Sequence, residues 1–180
     1  MAARLLIREV GKNADLFFAR VRFRHRAVSA QMLARQKGFE QYARMTHFGG
    51  NIYRMDLFPG DHMGNLTRLK KLIAKTDRPL GGIVFNSRIY ELASTVHCLE
   101  VADKQRICLA GYDAIGKNVE ALLGNQISFL LSQRPEIQGY NALKALGNLF
   151  LYGEKSEKIN FMPIDILIRE NIAFYNNYKL

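Results

Sequence analysis

RICLAGYDAIGKNVEALLGNQISFLLSQRPEIQGYNALKALGNL, residues 106–149, decides the fold. Two apolar runs in it close on polar residues, Gly-Tyr-Asp at 111–113 and Ser-Gln-Arg-Pro at 132–135. Each is followed by a helical pattern, a short one around 115–123 and a longer one opened by Pro135, a favoured residue in a first helical turn. Strand, polar end, helix, twice over, is the signature of parallel strands joined by crossover helices.

The same alternation runs outward in both directions. ARLLIREV (3–10) has helical spacing and stops at Gly11, and DLFFARV (15–21) reads as a strand. AVSAQMLARQKGFEQYARM (27–45) predicts a helix with Ser29 at its start and Met32, Phe39 and Tyr42 on its buried side. NIYRMDLF (51–58) alternates as a strand, and Asp61 or Asn65 can cap the helix LTRLKKLIAKT (66–76). LGGIVFN (80–86) is a buried strand that leads into the helix RIYELASTVHCLEVA (88–102). INFMPIDILI (159–168) returns as one or two strands interrupted by Pro163. The fold class is therefore α/β, an open parallel sheet of about five or six strands with helices on both faces. In such sheets ligands bind beyond the carboxyl ends of the strands. Asn86, Asp113 and Gln133, each ending a strand, share that edge.

Composition narrows the class. The chain has 180 residues, 48% of them apolar and 23% charged, as globular domains do. No apolar run approaches the roughly 20 residues of a membrane span, and the N-terminus lacks the apolar core of a signal peptide. Cys98 and Cys108 lie in apolar patterns, which predicts buried free thiols in a reducing, cytoplasmic compartment. The net charge of +10 falls entirely in the first 80 residues, with 16 Lys and Arg against 6 Asp and Glu; the remainder carries 10 of each. No helix-turn-helix, zinc-finger or RNA-binding motif accompanies this charge. The four histidines are scattered and no phosphate loop or nucleophile elbow is present, so neither an enzyme, a metal site nor a cofactor is expected.

The quoted stretch, taken with SAQMLARQKGF (29–39) and MPIDILIREN (162–171), resembles the effector-binding domain of lac-repressor-type (LacI/GalR) transcriptional regulators. Type 1 periplasmic sugar-binding proteins share that domain. The resemblance implies two lobes around a sugar-sized cleft and a chain that crosses between them three times. Residues 1–132 would form the second lobe, 133–153 a segment returning to the first, and 154–180 the final crossing strands and tail. The DNA-binding domain and most of the first lobe would then lie outside this chain. It further implies a carbohydrate effector, operator DNA as partner through that other domain, and a homodimer. A sugar-binding protein of a transport system is the alternative.

Residue by residue, the resemblance makes Arg35 an effector-contacting arginine, where the residues alone read as a solvated helix arginine. Asn86 becomes a sugar-hydroxyl partner, followed here by Ser87 where the family usually carries an acid. Asp113 becomes an acidic hydroxyl acceptor, or else a helix cap. Gln133 contacts ligand or satisfies hinge backbone. RVRFRHR (20–26) departs from the family loop: extended, it would put Arg20, Arg22, Arg24 and Arg26 on one face past a strand end. Such a face would suit an anionic effector, a uronic acid or a sugar phosphate; a solvated loop is the plainer reading.

Overall fold

Strand β1 (Asp15–Val21) is buried along nearly its whole length, and its alternation divides the core in two. Leu16 and Phe18 join one apolar cluster, and Phe17, Ala19 and Val21 the other. The structure, a computed structural model, describes residues 1–23 and 29–175. After α1 (Ala2–Val10) and β1 come α2 (Ala30–Met45), β2 (Ile52–Leu57), α3 (His62–Ile73), β3 (Leu80–Val84) and α4 (Ile89–His97). Then follow α5 (Val101–Gln105), β4 (Ile107–Tyr112), α6 (Gly116–Leu123), β5 (Phe129–Ser132), α7 (Pro135–Tyr152), β6 (Asp165–Leu167) and α8 (Ile172–Tyr175).

The six strands form one sheet in the order β2-β1-β3-β4-β5-β6. The first five are parallel, as the alternation requires. Helices α3, α4 and α6 cover one face through Leu69, Leu92 and Leu122, and α1 and α2 cover the other through Leu6 and Phe39. Gly82 in the central strand makes room for its neighbour on β1: a Cβ there would stand 2.4 Å from Cζ of Phe17. The caps agree with the chemistry of their residues. Ser29 accepts from the Met32 N–H and Asp61 from the Gly64 N–H. Because Asp61 is the cap, α3 starts at His62, four residues before the expected Leu66.

Several expectations need correction. Strand β6 runs antiparallel to β5, with Ser132 opposite Asp165, because α7 and the segment after it bring the chain back to the end of the sheet where it left. Only Asp165–Leu167 is strand; residues 153–164, with Pro163 lacking an N–H, lie outside the ladder. The helix expected over 88–102 breaks in two, because Leu99 turns into the core and Glu100 is extended at the start of α5. That break leaves Cys98 exposed rather than buried. Cys108 is the shielded thiol, pushed up to about 11 by burial.

Helix α7 has no buried residue. Leu143, Phe150 and Leu151 are 73%, 82% and 74% exposed, an apolar surface with nothing over it among the described residues. Among the described residues no helix is long and apolar enough to cross a membrane.

At the opposite edge of the sheet Asp15 is fully buried at the start of β1. Burial pushes its carboxyl up, but hydrogen bonds from Thr76 and from the backbone and side chain of Asn51, with the Arg78 charge, hold it below the usual range. The Asn51 N–H donates to its Oδ1 at 2.7 Å and the Arg78 guanidinium stands 3.7 Å away. A carboxylate whose folded pKa is depressed stabilises the fold above its unfolded value and loses that contribution as pH falls through the folded one. Asp15→Asn is expected to cost about 1.5–3 kcal/mol at pH 7. Urea melts of the two proteins should converge below about pH 4, the ordinary range of an aspartate. A difference that stays constant with pH would show that the charge contributes nothing.

Candidate ligand site

Parallel strands bring all their carboxyl ends to one edge, and four elements deliver polar side chains there. Arg35 reaches in from α2. Its Nη1 donates to the Phe85 carbonyl at 2.8 Å, just past β3, and its Nη2 donates to Gln133 Oε1 at 3.1 Å, just past β5. The guanidinium carbon lies 3.9 Å over the centre of the Tyr112 ring, at the end of β4. One side chain thus ties the ends of three strands together. Arg35, which the residues alone read as a solvated helix arginine, is half-buried.

Asp113 follows Tyr112 and adopts the left-handed conformation at φ 66, unusual for a residue with a Cβ and tolerated by Asp. Its N–H donates to the Leu131 carbonyl at 2.9 Å, so the backbone is fixed even though the conformation is strained. The carboxylate itself receives no hydrogen bond among the described residues. Burial pushes its pKa up, and the neighbouring Arg35 charge only partly offsets this. It does not cap a helix: α6 begins at Gly116 with Ile115 before it. A half-buried acid with no donor is an acceptor kept open.

Asn86 stands two residues past β3. Its Oδ1 accepts from the Arg88 N–H at 3.0 Å, and its Nδ2 lies 3.9 Å from the sulfur of Met32. Gln133 is engaged from both sides, since its Oε1 takes Arg35 and its carbonyl accepts from Gln138 Nε2 at 2.7 Å. The structure therefore gathers Arg35, Asn86, Asp113 and Gln133 on one edge.

Of the expected arginine row, only Arg20 and Arg22 lie among the described residues. Arg20 lies inside β1, where parallel register sets it opposite Asp56 of β2, and the two make a forked ion pair at 2.8 and 3.2 Å. That guanidinium is already neutralised on the edge strand. Arg22 is exposed just beyond β1, and its N–H donates to the Leu57 carbonyl. Arg24 and Arg26 lie outside the described residues.

Sequence reading passed over the residue that assembles this edge. Asn118, fully buried in α6, donates through Nδ2 to the carbonyls of Ser87, Tyr112 and Asp113 at 3.1, 3.0 and 2.8 Å, and its Oδ1 accepts from the Tyr90 N–H at 3.2 Å. It locks the loop after β3 to the loop after β4. The signal was an amide on the same helix face as Ala121 and Leu122, where an apolar side chain belongs.

A trough of about 810 Å³ lies between α7 and residues 154–164, lined by Asn141, Ala145, Phe161 and Met162. Of the four candidate residues Arg35, Asn86, Asp113 and Gln133 it is lined by Gln133 alone, so this volume lies apart from the Arg35 and Asp113 chemistry. No cluster of three or more potential metal ligands occurs among the described residues.

No protein-family model and no curated protein matches the sequence. Solved structures do. A protein assigned as a LacI transcriptional regulator from Bacteroides fragilis matches with a TM-score of 0.84 and 30% identity, over 97% of this chain and 59% of that one. An ABC transporter solute-binding protein from Agrobacterium vitis, bound with alpha-D-tagatopyranose, matches at 0.73 and 21% over 96% of this chain and 55% of its own. A periplasmic ribose ABC transporter protein from Conexibacter woesei matches at 0.74 and 14%, over 99% and 58%. The last two carry the fold alone. The chain spans little more than half the length of these neighbours. In architecture it has the type I periplasmic-binding-protein-like fold, and it resembles the effector-binding domain of lac-repressor-type regulators.

Proposed function

We propose that this chain is a sugar-sensing part of a DNA-binding transcriptional regulator of carbohydrate utilisation, and that Arg35, Asn86, Asp113 and Gln133 contact the effector. The observation that carries this reading is the open Asp113 carboxylate beside the Arg35 guanidinium, at the edge where an open α/β sheet takes its ligand. An acid that accepts and a fork that donates match the two roles of a sugar hydroxyl pair. Binding between lobes would favour one of two conformations and so bias DNA affinity. In this reading the protein is a cytoplasmic homodimer, residues 1–132 form its second lobe and residues 133–153 belong to the first. The exposed face of α7 is consistent with packing against another lobe or another copy.

The alternative is a sugar-binding protein of a transport system, favoured by the architecture it shares with the solute-binding proteins. The 30% identity to the assigned regulator supports the first reading over it.

A ligand on this edge is held from one side, whereas well-formed pockets bury about 70–90% of their ligand. The 180-residue chain is therefore expected to bind simple sugars only in the millimolar range, measured by ligand-observed NMR. Arg35→Met removes two donors and should weaken that binding about tenfold or more. Sugar binding that is untouched by Arg35→Met would move the site elsewhere, and micromolar affinity would refute the one-sided cleft.

A further inference from the structure

The strand order reverses between β1 and β3, and the residues directly after these strands, Phe23 and Phe85 to Arg88, flank the crevice where ligands enter open α/β sheets. Arg88, after β3, spans that crevice: its guanidinium carbon lies 4.8 Å from the ring centre of Phe23, after β1. Its Nη1 also donates to the Tyr90 hydroxyl at 3.1 Å. Lys117 approaches the same Tyr90, its ammonium 5.1 Å from the ring centre. Two cations thus bracket one tyrosine. Glu91 stands 3.6 Å from Arg88, and among the described residues no acid pairs with Lys117. Both cations sit at the first turns of helices, α4 and α6, where the helix dipole is already positive, so neither helix is stabilised by them. The Asn118 amide, which holds Ser87 and Asp113 together, keeps this pair on the same edge as the open carboxylate.

We infer that the ligand of this edge carries an anionic group on a polyhydroxylated ring, and that Arg88 and Lys117 receive it. This rests on the reading of the edge as a sugar site and narrows it. A guanidinium fork takes two oxygens of a carboxylate or phosphate at once, and Lys117 adds a point charge beside it. The flat face of Phe23 supports the fork from one side. Asp113 repels an anion, so it orients the ring with its hydroxyls toward Arg35 and its charge toward Arg88. Arg20, held by Asp56, is not part of this pair.

Ligand-observed NMR titration of this chain with aldoses of three ring configurations, their uronates and their 6-phosphates tests the assignment. At low salt at least one anionic form is expected to bind about tenfold tighter than its neutral parent, an advantage that shrinks at high salt. Comparing uronate with 6-phosphate identifies the anion. In Arg88→Gln/Lys117→Gln the ratio of anionic to neutral affinity should fall to about one, with circular dichroism confirming the fold. Equal binding of neutral and anionic forms, or an advantage that survives the double substitution, overturns this inference alone. If no sugar of any kind binds, the sugar reading falls and takes this one with it.

Discussion

Asn118→Ala is expected to lower the thermal midpoint by about 10 °C and to disorder the candidate ligand edge with it. The substitution removes one side chain but strands four backbone groups, the carbonyls of Ser87, Tyr112 and Asp113 and the N–H of Tyr90. Leaving a buried group unsatisfied costs about 1–3 kcal/mol, and water entering the vacated space will rescue some of the four. A net loss of about 3–5 kcal/mol follows, at roughly 2–4 °C per kcal/mol for a domain of this size. Asn118→Asp is nearly isosteric yet should fare no better, because its carboxylate would face three carbonyl oxygens with nothing to donate. Thermal melts followed by circular dichroism decide the matter. A shift of about 3 °C or less would mean that water already serves these carbonyls.

Asp113→Asn should act in opposite directions on stability and on binding. In the ligand-free protein the carboxylate is desolvated without a hydrogen-bond donor, and its pKa is raised despite Arg35. For a carboxyl with a raised folded pKa, stability is fully present below the unfolded value and is lost as pH rises through the folded one. At pH 7 the native side chain therefore costs stability, and the amide, which also tolerates φ 66, does not. The variant should melt higher than the parent at pH 7, with the gap closing toward pH 3. Sugar binding should weaken about tenfold or more, since a charge-assisted hydrogen bond is replaced by a neutral one or by none. A variant less stable than its parent at neutral pH would show that Arg35 holds the carboxylate more firmly than burial disfavours it. Loss of stability in exchange for function is common where a binding group must wait unpaired.

Local rules made most of the sheet legible. DLFFARV and LGGIVFN were readable as strands, and Ser29, with Asp61 or Asn65, announced two helix starts. Arg20 shows where such rules stop. Its fate depends on the residue beside it on the next strand, and register between β1 and β2 is set by packing that spans the whole domain. The direction of β6 was hidden for a similar reason: three residues carry no periodicity, and their orientation follows from where α7 returns the chain. Among the candidate site residues, those ending strands could be placed from the alternation alone. Arg35 needed the resemblance, because nothing in a helical stripe tells a surface arginine from one that stacks on Tyr112. Asn118 was visible only as a polar intruder on an apolar face, which marks a residue as unusual without naming its partners.

The antiparallel β6 has a consequence for how the chain is partitioned. Residues 133–164 leave the sheet after Ser132 and re-enter opposite it at Asp165, so departure and return share one doorway. Arg134 and Asp165 bolt that doorway with a fork at 2.6 and 2.8 Å, and Ser132 meets the Tyr175 hydroxyl at 2.6 Å just inside it. Both ends of the excursion are therefore fixed on one pair of adjacent strands, with the Gln133 side chain held by Arg35 as a further tie beside the bolt.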